Sequence, residues 1–268
     1  MLRRSQLYVP GNNEKMIAKA ATLGADSVIL DLEDAVPAGE KGAARELIAK
    51  LSKELDWGKK ELCVRINASG TPEHPADISN VRRIERVDSV LIPKAEGDSS
   101  ALGRKLAKSM IPIVETAGGL MTLGDLASSR GVVAMTYGAG DYATSVGGSV
   151  AAYLGNPTVK TLIVAAAQAE DVEAIDNVFF DLNDLNGFRS EATASRALGF
   201  TGKQVIHPSQ IPVANEVFTP SESELKWARK IVREVEKAGA RKKGAIRVED
   251  KLVDAVHYRL AKSILERK

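Results

Sequence analysis

A chain of 268 residues, 44% hydrophobic and 27% charged, is long enough for one large α/β domain with a small appendage and has the composition of an ordinary globular protein. Its 37 basic and 35 acidic residues leave a net charge of +2, which argues against a nucleic-acid or membrane partner across the whole surface. A single cysteine, Cys63, excludes an intrachain disulfide and a cysteine-based metal cluster, and its apolar neighbours make it a small core residue.

The N-terminal Met-Leu-Arg-Arg-Ser-Gln lacks the apolar core of a signal peptide, and no apolar run approaches membrane-spanning length, so a cytoplasmic protein is expected. Residues 6–9 read as a short strand closed by Pro10-Gly11-Asn12, and Asn13 as the N-cap of a helix turning Met16, Ile17 and Ala20 inward. Val28, Ile29 and Leu30 form a buried strand that ends in three carboxylates, Asp31, Glu33 and Asp34. A helix can begin at Pro37 and run through Ala43, Leu47 and Leu51. Strand 61–67, a loop over 68–72, helix 77–86, strand 89–93 ending at Lys94, and helix 99–108 follow in turn.

The strand beginning at Met110 ends in Glu115, and 118–128 is helical. A strand from Gly131 reaches Asp141 through the turn Gly138-Ala-Gly140. Residues 142–157 are rich in Gly, Ser and Ala and suggest a long loop with a short helix. Helix 158–169, strand 175–180 ending in Asp181, helix 185–198 and a last strand, 204–207, broken by Pro208, complete the alternation. Eight strand–helix units predict a (β/α)₈ TIM barrel over residues 1–219, with its active site at the C-terminal ends of the strands. An open doubly wound sheet is the alternative, although no Gly-x-Gly-x-x-Gly follows the first strand. Residues 220–268 form a C-terminal appendage: a charged amphipathic helix over 222–237 suited to packing on the barrel's outside, a basic connector over 239–249 containing Arg241-Lys242-Lys243, and a helix over 252–265.

Three apolar strands ending in acids suggest one shared acidic site. Glu115 and Asp141 end neighbouring strands, and two carboxylates completed by waters and substrate oxygens are how Mg²⁺ is usually held. The other role open to both is capping of the helices that follow. The three histidines, His74, His207 and His257, show no ligand spacing for zinc. Arg65, within an apolar strand, offers a fixed fork to a carboxylate or thioester oxygen, or pairs with Glu33 or Asp34. Lys94 faces substrate, supports the groups that do, or is a solvated strand-end lysine, and nearby acids keep its amine charged, which opposes a Schiff-base role. The amides of the Gly138–Gly140 turn suit a carboxylate or an oxyanion, with a flexible loop as the alternative. His207 fits a structural role as well as a catalytic base.

Several segments together resemble the citrate lyase beta subunit-like family, within the HpcH/HpaI aldolase superfamily. They are Arg4-Ser-Gln-Leu-Tyr-Val-Pro-Gly11, Asp31-Leu-Glu-Asp-Ala-Val36, Arg65-Ile-Asn67, Pro93-Lys94, Glu115-Thr116, Gly140-Asp141 and Gly202-Lys-Gln-Val-Ile-His-Pro-Ser-Gln210, in family order over nearly the whole chain. The resemblance implies a trimeric or hexameric barrel that makes or breaks a C–C bond between an acyl-CoA and a 2-oxo acid. It implies Mg²⁺ on Glu115 and Asp141, with Glu33 and Asp34 holding the metal's waters. Arg65 would take oxygens of the 2-oxo acid or thioester, and Pro10-Gly11 and His207-Pro208 would line the CoA entrance. Residues 244–254 resemble the family's C-terminal lid, which makes Asp254 an acid/base acting on a neighbouring subunit's site. The family's Asp-Gly turn is here Glu249-Asp250, and Val256 replaces a common Pro. A malyl-CoA or citramalyl-CoA thioesterase, a CoA-independent aldolase and a non-catalytic metabolite-binding subunit are the alternatives on the same barrel.

Overall fold

The protein is described here from a computed structural model that covers residues 1–237, 245–248 and 251–266. The basic run Arg241-Lys242-Lys243 and the Glu249-Asp250 turn lie outside the described residues. Two compact units divide the chain, Met1–Phe218 and Thr219–Lys268.

In the first unit the elements alternate as β1 (Ser5–Pro10), α1 (Glu14–Thr22), β2 (Ser27–Asp31), α2 (Lys41–Glu54), β3 (Glu61–Arg65), α3 (His74–Arg83), β4 (Ser89–Ile92) and α4 (Ser100–Leu106). They continue as β5 (Ser109–Val114), α5 (Ala117–Met121), α6 (Leu123–Ser128), β6 (Ala134–Tyr137), α7 (Ala139–Ser145), α8 (Val150–Leu154), α9 (Pro157–Ala169), β7 (Glu173–Asp176), α10 (Leu185–Leu198), β8 (Gly202–Val205) and α11 (Gln210–Phe218). The strands β1 to β8 pair in parallel in sequence order and close into a barrel. This is the (β/α)₈ architecture, and the open sheet is ruled out.

Successive side chains of a strand point to opposite faces, which divides the apolar residues into two cores. Ile29, Cys63, Leu91, Ile111, Ile113, Ala134 and Ile175 fill the barrel's interior as a small cluster. The outward-facing residues, such as Leu7, Val9, Val28, Leu30, Leu62 and Val64, join the helices in the larger one. Strands buried on both faces therefore read as continuous apolar runs. At the N-terminal end, Arg3 bonds Glu61 through Nε and Nη2 at 2.7 to 3.0 Å and also reaches Glu173.

Several elements differ from the sequence expectation. Asn13 caps α1 as expected, accepting the Met16 amide, but Met16 itself is exposed because only Ile17, Ala20 and Ala21 lie on the buried stripe. A short 3₁₀ turn over Ala38–Glu40 precedes α2, whose buried face is Ala44, Ile48 and Leu51. Helix 118–128 is two helices, broken where Thr122 bonds back to the Gly118 carbonyl and accepts the Gly97 amide. Strand β7 ends at Asp176, not at Asp181. The apolar residues that extend the pattern leave the sheet, and Phe179 packs edge-on against Phe188 of α10 with ring centroids 6.0 Å apart.

In the second unit, α12 (Glu222–Lys237) and α13 (Ala255–Glu266) pack with an antiparallel pair, β9 (Ala245–Val248) and β10 (Lys251–Asp254). Ala228, Ile231, Val235, Val248, Val253 and Ala261 form its core. The expected connector is thus partly strand, and the last helix starts at Ala255 rather than Leu252. Among the described residues, no helix is long and apolar enough to cross a membrane.

Candidate active site

The site is built outward from the end of β2. Asp31 is paired in register with Arg65 of β3, and both side chains face the barrel axis. The carboxylate accepts from Arg65 Nε at 2.7 Å and Nη2 at 2.6 Å, and from the backbone amides of Glu33 at 2.9 Å and Ala35 at 3.0 Å. One buried acid therefore both folds the acidic turn back over the strand end and fixes the guanidinium. Arg65 Nη1 lies 3.0 Å from Glu33 Oε2 and 3.3 Å from Asp34 Oδ2, and its other face covers the Tyr8 ring 5.1 Å away. Burial works against the charge on Arg65, but the surrounding acids outweigh it and hold the group protonated.

Glu115 follows β5 and is 3% exposed. Its Oε1 accepts the backbone amide of Lys94 at 2.7 Å. Lys94 takes a left-handed conformation, φ 49°, to make that bond, a cost that functional sites tolerate when the surroundings fix it. Glu115 packs directly on Gly138, where a Cβ would lie 2.6 Å from the Glu115 Cβ, so a larger residue would displace Glu115. Burial, with Glu33 and Asp141 nearby, pushes the Glu115 carboxyl up to about 8 despite the Lys94 amide. Glu33 is also raised, by burial first, with Arg65 and Lys94 opposing. The Lys94 ammonium lies 3.1 Å from Glu33 Oε1 and 3.8 Å from Asp141 Oδ1. Burial lowers its proton affinity, but Glu33, Glu115 and Asp141 outweigh that and raise it. The amine is a charged bridge, as expected from its acidic surroundings.

These groups open on a cavity of about 550 Å³ at the C-terminal mouth of the barrel. Asp31, Asp34, Arg65, Glu115, Gly140, Asp141 and Pro10 line it. Asp141 sits in the first turn of α7 rather than at a strand end, beside the Ala139 and Gly140 amides, which have no carbonyl one turn back. Gly11 lies beneath the mouth: its amide bonds Asp31 O at 2.8 Å, and a Cβ there would be 2.5 Å from that oxygen. His207 and Pro208 are exposed and outside the cavity lining, and the His207 ring pairs with Ser209 Oγ at 2.8 Å. Asp254 belongs to the second unit. It ends β10 and caps α13, accepting the amides of Val256 at 2.9 Å and His257 at 3.2 Å and pairing with His257 Nδ1 at 2.7 Å. The His257 bond comes first in holding its carboxyl below the usual range.

Among the described residues, no three His, Cys, Asp or Glu side chains converge as a ready cage for a metal. The expected Mg²⁺ ligands are two carboxylates only, and Mg²⁺ keeps several waters, so a closed cage is not required. Three residues of the site escaped sequence reasoning. Asp31 stood in view among its acidic neighbours without a role, because nothing in the sequence says which of three acids meets Arg65. Asn177 and Gln204 line the cavity, and their only signal was the two-residue alternation that turns them to the barrel axis.

A closed (β/α)₈ barrel with acids, an arginine and a lysine gathered at the C-terminal ends of its strands defines a barrel enzyme. The chain belongs to the HpcH/HpaI aldolase/citrate lyase family, whose match covers residues 4–208. It is 35% identical to the L-malyl-CoA/beta-methylmalyl-CoA lyase of Rhodobacter capsulatus, over 98% of this chain and 94% of that protein. It is 34% identical to the mitochondrial citramalyl-CoA lyase of Rattus norvegicus, over 98% of this chain and 85% of that one. Among solved structures it resembles CitE of Mycobacterium tuberculosis in complex with magnesium, acetoacetate and coenzyme A. That likeness has a TM-score of 0.80 and 34% identity, and covers 98% of this chain and 97% of CitE.

Proposed function

We infer that the protein is a Mg²⁺-dependent carbon–carbon lyase. It cleaves a 3-hydroxyacyl-CoA of the malyl-CoA, citramalyl-CoA or citryl-CoA kind into an acyl-CoA and a 2-oxo acid, or runs the reverse condensation. The relatives named for such lyases support this, and so does the magnesium complex of the CitE relative. The observation that carries it is geometric: the buried Glu115 carboxyl lines one cavity at the barrel mouth with Asp141 and the Arg65 fork, and its burial raises its affinity for a proton.

The residues fit the metal. All the nearby donors are hard oxygens, which suits Mg²⁺, and a carboxyl held protonated by burial and like charge is one that a divalent cation would ionise. Glu33 Oε2 also lacks a hydrogen-bond partner, although the Arg65 guanidinium lies near it. Glu115 and Asp141 would hold Mg²⁺, with Glu33 and Asp34 accepting from its waters. Bound there, Mg²⁺ supplies a Lewis acid for the oxygens of the 2-oxo acid.

The chain's own groups do the rest. Arg65, locked by Asp31, presents fixed positive charge to an oxygen that gains negative charge as the bond breaks, without reorganising. The first-turn amides of α7 orient the 2-oxo acid carboxylate. Pro10 shapes the approach of the thioester, with Gly11, His207 and Pro208 at the CoA entrance. In cleavage a base takes the 3-hydroxyl proton as the carbon–carbon bond breaks and the hydroxyl becomes the 2-oxo carbonyl, and Asp254 of a neighbouring copy protonates the acyl-CoA enolate so formed, in a cytoplasmic homotrimer or hexamer.

Purified protein with Mg²⁺ and malyl-CoA, citramalyl-CoA or citryl-CoA, its acyl products resolved by mass, tests the proposal. Acetyl-CoA or propionyl-CoA together with a 2-oxo acid is the expected result. Free CoA with an intact hydroxy acid would mean a thioesterase instead.

A further inference from the structure

Two cations stand among the acids of the barrel mouth, and they are held differently. Arg65 is gripped by Asp31 through Nε at 2.7 Å and Nη2 at 2.6 Å, and its side chain is 12% exposed. Lys94 has no such lock. Its ammonium donates to Glu33 Oε1 at 3.1 Å and lies 3.8 Å from Asp141 Oδ1, and its side chain is 40% exposed.

The acids that this ammonium meets belong to the metal site of the inferred lyase, Asp141 as a ligand and Glu33 as an acceptor from the metal's waters. Lys94 also reaches the other ligand, Glu115, but through its backbone, whose amide donates to Glu115 Oε1 at 2.7 Å. The residue takes the left-handed conformation, φ 49°, that carries both contacts. A single residue thus supports Glu115 with a neutral donor and faces Glu33 and Asp141 with a full positive charge.

A positive charge in ion-pair reach of a carboxylate reduces what a second cation gains there, since like charges repel at the same distance over which unlike ones attract. Glu33 is fixed from its other side by Arg65 Nη1, 3.0 Å from Oε2, and its side chain is only 8% exposed. The half-exposed ammonium, on a flexible four-carbon stem and readily hydrated, is the partner that can give way. Resting on the Mg²⁺-dependent reading above, we propose that Lys94 is a tethered competitor of the metal. Its ammonium shares Glu33 and Asp141 with Mg²⁺ and yields Asp141 as the ion binds. The affinity of the site for Mg²⁺ is thereby set below what its carboxylates alone would give. Lys94 tunes the metal's affinity, and Arg65, which is locked, keeps its charge for the substrate.

Lys94→Asn and Lys94→Gly separate the two roles of the residue. Asparagine and glycine both accept the left-handed conformation and keep the amide for Glu115, and neither carries a charge. The measurement is calorimetric titration of the native protein and both variants with MgCl₂ alone, together with melting curves with and without MgCl₂. The variants should bind Mg²⁺ about tenfold more tightly than the native protein, the scale of removing one like charge beside a partly solvated site. Mg²⁺ should also raise their melting temperatures by more than it raises the native one. A lysine that merely supports the acids would give the opposite sign, because its loss would loosen the ligands. Unchanged or weaker Mg²⁺ affinity in either folded variant would therefore overturn the competition and leave the metal site standing. No Mg²⁺ binding by the native protein or by either variant would overturn the metal site as well. Each variant decides the matter alone if the other does not fold.

Discussion

Asp31 grips Arg65 through both carboxylate oxygens, at 2.7 and 2.6 Å, while the same two oxygens accept the amides of Glu33 and Ala35. The guanidinium is therefore placed by a strand-end acid that also shapes the acidic turn, and neither could shift without the other. A fork fixed in this way meets developing negative charge at little reorganisation cost.

Asp31→Asn should weaken both functions of that carboxylate. Removing one partner of a buried pair leaves the other charge uncompensated, here cushioned by Glu33 and Asp34, so a stability loss of about 2 kcal/mol is expected. Binding of a 2-oxo acid should fall about tenfold or more, through the misplaced Arg65. Thermal unfolding and calorimetric titration measure the two effects. Undiminished 2-oxo acid binding would show that Arg65 does not depend on Asp31.

Glu115→Ala and Asp141→Ala should each abolish Mg²⁺-dependent turnover with the fold retained. For Glu115→Gln the stability of the metal-free protein should hold or rise, because a buried carboxyl is replaced by a neutral group of the same shape. Turnover assays and melting curves with and without Mg²⁺ check this, and full activity in any of the three would remove the metal assignment.

The titration of Glu115 gives a signed pH dependence. A glutamate in an unfolded chain titrates near about 4.3, and burial raises Glu115 to about 8 in the folded, metal-free protein. Between those values the folded state keeps a proton that the unfolded state has released. Stability of the metal-free protein should therefore decline as pH rises across that window. Mg²⁺ should reverse the decline and release a proton on binding below pH 8. Denaturant unfolding at a series of pH values, and titrations in buffers of different ionisation heat, read both; pH-independent stability together with metal binding free of proton release would contradict it.

Behind the mouth, Asp176 is fully buried between Lys203 at 2.6 Å and Lys160 at 2.8 Å, with Glu191 balancing the second positive charge. Burial alone would raise the Asp176 carboxyl, but the two lysines outweigh it and hold it below the usual range. Its contribution is present above the unfolded-state pKa and is lost as pH falls through the depressed folded value. Asp176→Ala should cost about 3–5 kcal/mol, since it strands buried ammonium groups. Urea unfolding would show it, and a loss under about 1 kcal/mol would mean the lysines find other partners.

Asp254 both caps α13 and is the proposed acid/base. Asp254→Asn keeps an N-cap side chain and removes the acid, whereas Asp254→Ala removes both. If proton transfer is its task, the two variants should lose turnover alike, with little change in 2-oxo acid binding. If capping is its task, Asn should retain most of the activity that Ala loses.

The barrel was legible from the sequence because alternation is a local property. Strands buried on both faces must be apolar throughout, and the helices between them must carry a stripe, so composition alone marks each unit. The acids at the ends of β2 and β5 were legible for the same reason, since a charge that interrupts such a run marks where the strand surfaces. The boundary errors came from residues whose apolar character serves another contact. Phe179 and Phe180 look like strand continuation but follow the end of β7, with Phe179 against α10 and Phe180 exposed.

What the sequence determined by itself is therefore the inventory: the strands, the acids that end them, an arginine that must find an anion and a glycine-bearing turn. What only the tertiary structure decided is pairing. Closure of eight strands sets β2 beside β3 and so gives Arg65 to Asp31 first, with Glu33 and Asp34 sharing one of its nitrogens. It also brings β7, β8 and β1 together, so that Asn177 and Gln204 line one cavity. Such pairings depend on register between segments far apart in the chain, and local preferences carry no information about register.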